Sequence, residues 1–147
     1  MDDPNPVRSS WIAFAVGSAV FAAATAILGK IAVSEINSNL ATLIRTVVIL
    51  ILVAVMVAAR GEWEPLGKLS RVAVLMLVLS GVATGLSWLC YYRALQLAPA
   101  SRVAPIDKLS VALVIVAGVV FLGEPLSWRV AFGGGLIVMG VLVLARG

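Results

Sequence analysis

Five long apolar stretches set the strongest limit on how this chain can fold. They cover residues 11–33, 39–59, 72–97, 103–122 and 128–144. A helix of roughly 20 mostly apolar residues crosses the hydrocarbon core of a bilayer, and the backbone polar groups of such a segment must bond within the segment itself. We therefore predict an all-α integral membrane protein of five transmembrane helices, called spans one to five here, with antiparallel neighbours.

Composition agrees with this fold and excludes several functions. Hydrophobic residues make up 62% of the chain and charged residues 12%, whereas soluble domains have about 45–50% and about 25%. The sequence has no histidine and one cysteine, Cys90, so we expect no metal, no cofactor and no internal disulfide. It has no nucleophile beside a base and no phosphate-binding loop. We expect neither an enzyme nor a nucleic-acid partner.

The chain is expected to form one membrane domain over residues 11–147, preceded by a mobile segment over residues 1–10. Asp2 and Asp3 and the length of the first apolar stretch favour a retained span over a signal peptide. Gly123 is the expected end of the fourth helix, and Ser127 is the expected cap of the fifth.

Basic residues are almost evenly divided between the two sides of the membrane. Five spans place the two termini on opposite sides, and the 11 Lys and Arg residues divide five to six. The positive-inside rule therefore has little to act on, so either partners and fine detail set the orientation or the chain inserts both ways. The N-terminal side has Arg8, Arg60, Lys68, Arg71 and Arg129, and the other side has Lys30, Arg45, Arg93, Arg102, Lys108 and Arg146.

Charged residues inside the spans lie toward the C-terminal side of the membrane. Snorkelling to a helix end accounts best for Lys30 and less well for Arg45, which lies about 9 Å along span two at 1.5 Å per residue. Asp107, with Lys30, is a candidate for coupling or gating, and a structural ion pair of Asp107 with Lys30, Arg45 or Arg93 is the alternative. Asp107 and Lys108 are expected to point about 100° apart and not to pair, and Pro105 is expected to bend span four.

Two polar stripes indicate an interior cavity. Ser80, Thr84, Ser87 and Tyr91 share one face of span three, and Ser18, Ala22, Thr25 and Gly29 share one face of span one. Close helix packing is the alternative for such small residues. Trp88 and Tyr92 flank the first stripe and could stack on a substrate or belong to an interfacial aromatic belt. The predicted substrate-binding residues are Thr25, Arg45, Ser80, Thr84, Ser87, Trp88, Tyr91, Arg93 and Lys108, and their excess of positive charge favours anionic or zwitterionic cargo.

Two motifs resemble a known family. Residues 91–105, YYRALQLAPASRVAP, resemble the junction between the third and fourth helices of the EamA domain. Residues 121–128, FLGEPLSW, resemble the turn before its last helix, and the glycine-rich segment 133–144 fits that helix. The resemblance implies a member of the drug/metabolite transporter superfamily, which exports small metabolites or toxic organic compounds. Small multidrug relatives use an acidic residue in their first helix, and span one has none within the membrane.

Most EamA proteins carry two five-helix domains in inverted orientation, and this chain has one. The resemblance therefore implies a second chain, in an antiparallel homodimer or with a paralogous partner that makes the other half. A non-transporting membrane scaffold subunit is the alternative from another functional class. In each case we expect a multi-pass protein of the cell membrane, in contact with lipid.

Overall fold

The described part of the chain contains six α-helices and one short 3₁₀ turn, joined by loops. The structure, a computed structural model, describes residues 6–146, with side chains for residues 11–65 and 67–146. The 3₁₀ turn covers Leu66–Lys68. The helices are α1 (Pro6–Glu35), α2 (Ser38–Arg60), α3 (Arg71–Leu97), α4 (Ala100–Asp107), α5 (Leu109–Leu122) and α6 (Trp128–Arg146).

These elements confirm the predicted all-α fold with five spans. Five helical stretches are long and apolar enough to cross a membrane, with α4 and α5 together forming the fourth. The first helix begins at Pro6, five residues ahead of the predicted start. Residues 1–5 of the segment predicted to be mobile lie outside the described residues, so its mobility stays a prediction. The chain divides into two compact units, Met1–Gln96 and Leu97–Gly147.

In the first unit, buried side chains gather near the loop between α1 and α2. Leu95 on α3 is fully buried, and Ala26, Val33, Ala41 and Tyr92 are nearly so. Thr42 is a buried polar residue whose hydroxyl donates to the carbonyl of Ser38, 2.8 Å away. Most large apolar side chains are exposed instead, as expected where lipid is the solvent. The most buried side chains therefore lie at the same end of the unit as the basic residues Lys30, Arg45 and Arg93.

In the second unit, the fourth span is interrupted at Lys108. The amide of Lys108 donates to the carbonyl of Pro105, and the amide of Val111 donates to the carbonyl of Lys108. The N···O distance is 3.0 Å in each bond. These bonds span three residues rather than four, as in a 3₁₀ turn. Pro105 lies within α4 and has no amide hydrogen to donate. The helix is thus broken three residues beyond the proline that was expected to bend it.

The turn between α5 and α6 has the caps that the sequence predicts. Gly123 ends α5 with a left-handed backbone, φ 67°, a conformation that glycine adopts at little cost. The hydroxyl oxygen of Ser127 accepts from the amide of Val130 at 3.3 Å. In α6, a β-carbon on buried Gly134 would lie 2.9 Å from Cδ1 of Ile115. The glycine therefore allows α5 and α6 to approach closely.

Candidate functional site

A guanidinium held by two aromatic rings is the most distinctive polar feature of the first unit. Cζ of Arg45 on α2 lies 3.9 Å from the centroid of the Trp88 ring and 5.4 Å from that of Tyr92. Trp88 and Tyr92 are four residues apart on α3, so one helix face presents both rings. An arginine costs about 2.5–3.5 kcal/mol at the centre of a membrane helix and less toward its end, where Arg45 lies as the eighth residue of α2. A cation–π contact returns about 0.5–2 kcal/mol. The rings offset part of the cost of placing Arg45 in a span.

Gly29 determines where the Tyr92 ring can lie. A β-carbon at this position of α1 would be 3.1 Å from Oη and 3.2 Å from Cζ of Tyr92. Contacts this short require the neighbour to move, so a side chain at residue 29 would displace the ring. Tyr92 is 4% exposed and was absent from the predicted binding set. The sequence signal that could have added Tyr92 to this set is its spacing of four residues from Trp88, which places both rings on one face of α3.

An apolar cavity of about 320 Å³ lies beside this cluster, between α1, α2 and α3. We call it the Arg45 cavity. Its walls are mostly aliphatic, and Arg45 is the single charged residue among them. Thr25, predicted to bind substrate, lines it as well. The lining residues are Thr25, Leu28, Gly29, Ala32, Ile36, Ala41, Ile44, Arg45 and Tyr92.

A second cavity of about 480 Å³, the Thr84 cavity, lies between α2 and α3. It is lined by three predicted substrate-binding residues, Ser80, Thr84 and Trp88. The Thr84 hydroxyl donates to the carbonyl of Ser80 at 2.9 Å, and on the facing helix the Thr46 hydroxyl donates to the carbonyl of Thr42 at 2.7 Å. Because their protons are used within their own helices, these threonine hydroxyls can offer a ligand only acceptor oxygens.

A third, more polar cavity of about 530 Å³ lies where α2 begins. Its lining residues are Asn37, Ser38, Asn39, Leu89, Cys90 and Arg93. Nη1 of Arg93 donates to Oε1 of Gln96 at 2.6 Å. Three other predicted binding residues are not among those lining the three cavities: Ser87 and Lys108, which are exposed, and Tyr91, whose ring centroid lies 6.3 Å from that of Tyr92. The substrate-binding role of the whole predicted set stays a prediction.

Lys30 supports the end of a neighbouring helix. Its ammonium group donates to the backbone carbonyl of Leu95 at 2.6 Å. Leu95 lies in the last turn of α3, where carbonyls have no partner within the helix and the helix dipole is negative. A positive charge there stabilises the end of α3. The coupling or gating role predicted for Lys30 stays a prediction.

Asp107 and Lys108 pair directly, so the prediction that they would not is wrong. Nζ of Lys108 lies 3.3 Å from Oδ2 of Asp107. The prediction assumed a continuous helix through both residues, but α4 ends at Asp107 and the long lysine side chain turns back at the break. Both side chains are more than a third exposed, so the pair contributes little, about 0–1 kcal/mol. Coupling through Asp107 and its pairing with Lys30, Arg45 or Arg93 stay predictions.

Comparisons with known proteins agree with these features. Residues 9–146 match the EamA-like transporter family. A protein from Sinorhizobium sp, described as "Uncharacterized transporter in cobO 3'region", is 52% identical over 139 residues, which cover 95% of this chain and 99% of that protein. No solved structure matches, and no group of three or more metal-binding side chains occurs in the described part of the chain. Together with five apolar helices able to span a bilayer, the match over nearly the whole length shows that this multi-pass membrane protein belongs to the EamA-like transporter family.

Proposed function

We propose that the protein is a secondary transporter of small metabolites or toxic organic compounds. The observation that carries the proposal is the Arg45 cluster, in which a cation in a span borders an apolar cavity of metabolite size. Charged residues within spans are costly and usually mark a substrate or ion pathway. A scaffold subunit would gain nothing from such a residue.

We further propose that the transporter works as two five-helix halves from two chains. Transporter folds commonly place their site between inverted repeats, and this chain supplies one family domain over residues 9–146. The balance of five basic residues against six would let one chain insert in both orientations. An antiparallel homodimer satisfies both points, and a paralogous partner chain is the alternative.

Transport is tested with purified protein in liposomes. Vesicles preloaded with one unlabelled metabolite from a panel are diluted into its labelled form, and counterflow is compared with that of protein-free vesicles. The expected result is accumulation of at least one compound in vesicles that contain the protein. Normal insertion with no exchange of any panel member would support the scaffold alternative.

A further inference from the structure

We propose that the Arg45 cavity binds a small organic anion, with the negative group on the guanidinium of Arg45 and the apolar part against α1. The inference rests on the proposed transport function and names the substrate class for it. The observations that support it are three properties of the cavity: its charge, the way in which its guanidinium is held, and the size and chemistry of its walls.

No acidic side chain of the described residues pairs with Arg45. Among the described residues the ion pairs are Arg60–Glu62 and Lys108–Asp107, and no carboxylate lies within 4.0 Å of Arg45. Its contacts are the rings of Trp88 and Tyr92, which attract a cation but do not neutralise it. In a low-dielectric setting an anion gains from this charge, whereas a cation is repelled by it.

The guanidinium is also held in a way that suits an oxyanion. At 3.9 Å from the centroid of the Trp88 ring, Cζ is in face contact with the indole. Among the described residues none accepts a hydrogen bond from the Arg45 guanidinium, so its N–H donors are left for another partner. Their planar fork matches the two oxygens of a carboxylate or phosphate. Because the rings already order the side chain, binding loses less conformational freedom.

The walls of the cavity define the rest of the ligand. A volume of about 320 Å³ is at the lower end of the range for ligand sites, so it fits a metabolite better than a large drug. Leu28, Ala32, Ala41 and Ile44 make the surface mostly aliphatic, and Thr25 adds one hydroxyl. A compact carboxylate with an apolar body satisfies both the charge and the walls.

The test measures binding to the purified full-length protein in phosphatidylcholine nanodiscs. The probes are acetate, benzoate and phenylacetate, each with its matched amide and amine, and titration calorimetry gives Kd. We expect one or more carboxylates to bind, with each matched amide weaker by about tenfold or more and the amines not binding, since hydrogen bonds to charged groups are among the strongest. Arg45→Gln should weaken carboxylate binding by about tenfold or more. Arg60→Gln, on the same helix at an exposed site, should not.

A second pair of variants tests the cavity without removing its charge. Gly29→Ala places a methyl group against Tyr92 and narrows the cavity, whereas Gly17→Ala, also on α1, enters open space. Gly29→Ala should therefore weaken phenylacetate more than acetate, and Gly17→Ala should leave both unchanged. This comparison remains informative if Arg45→Gln assembles poorly.

The outcomes separate the anion site from the transport function. The anion site is wrong if no carboxylate binds, if amines bind as tightly, or if Arg45→Gln leaves binding unchanged, and counterflow of other compounds would still support transport. If phosphatidylglycerol stabilises the protein through Arg45 while soluble carboxylates do not bind, the cavity holds a lipid headgroup and the proposal is again wrong. Carboxylate binding without counterflow of the same compounds supports the site and counts against transport.

Discussion

The ammonium group of Lys30 on α1 donates to the backbone carbonyl of Leu95 on α3, with Nζ 2.6 Å from the carbonyl oxygen. The bond joins two helices far apart in sequence at the point where side-chain burial is greatest. Leu95 is fully buried, so a carbonyl left without this partner would be costly to accommodate.

Lys30→Met should therefore lower the thermal stability of the protein. The substitution keeps much of the aliphatic length of the side chain and removes the charge and the donor, with an expected loss of about 1–3 kcal/mol. Thermal unfolding in detergent, followed by intrinsic fluorescence, measures the change. Lys68→Met, at an exposed residue of the 3₁₀ turn, is the matched control and should leave the transition in place. Equal transitions for both variants would show that the bond does not contribute to stability.

The close approach of α6 to α5 predicts a suppressor pair. Gly134→Ala should have a lower transition temperature than Gly135→Ala, because its new methyl group would lie 2.9 Å from Cδ1 of Ile115 and the isoleucine side chain must shift. Ile115→Val removes that methyl group, so the double variant should recover most of the loss. Gly135→Ala has open space at its β-carbon and gains only the helix propensity of alanine, so it is the reference for the added methyl group. If the change in transition temperature of the double variant equals the sum of the changes of the two single variants, the contact between residue 134 and Ile115 is not the cause of the loss.

Access of water to the Thr84 cavity can be measured by thiol chemistry. In a Cys90→Ser background, cysteine at Ser80 or Thr84 should react with a water-soluble maleimide, since both residues line the cavity. Cysteine at Leu86 should react more slowly, because Leu86 is an exposed aliphatic residue whose helical position is opposite that of the lining set on α3. Equal protection at all three positions would mean that the stripe serves helix packing.

Insertion in two orientations predicts reporter signals from both sides of the membrane. One reporter that is active only in the cytoplasm and one that is active only outside it are fused in turn after Arg146, the last residue of α6. Both fusions should be active at normal expression, since the basic residues divide five to six. A signal from one side alone would exclude the antiparallel homodimer and leave a pair with a paralogous partner or a parallel assembly.

Coupling through Asp107 is tested by Asp107→Asn. The variant keeps the size of the side chain and removes its charge. If Asp107 couples transport to protons, the variant should assemble, retain counterflow and lose accumulation driven by a pH gradient. Unchanged pH-driven accumulation would limit Asp107 to its pair with Lys108 at the break between α4 and α5.

Helix positions followed from the sequence because lipid imposes a simple rule of length and apolarity. The same is true of the caps at Gly123 and Ser127, where local chemistry decides the turn. The Asp107–Lys108 pair was missed because helical spacing was extended across a residue where the helix stops. Gly29 was identified as part of a stripe, but its contact with Tyr92 depends on how α1 meets α3. Spacing along one helix contains no information about such a contact.

The isolated charge of Arg45 also links the proposed site to the membrane voltage. One elementary charge that crosses the whole potential changes in energy by about 2.3 kcal/mol per 100 mV. An empty site retains the positive charge of Arg45, whereas a site that holds a monovalent anion is close to neutral. In a transporter whose Arg45 moves through the field between its two states, this charge makes the empty site respond to the voltage and the anion-loaded site respond much less. Such a transporter senses the potential through its unloaded state.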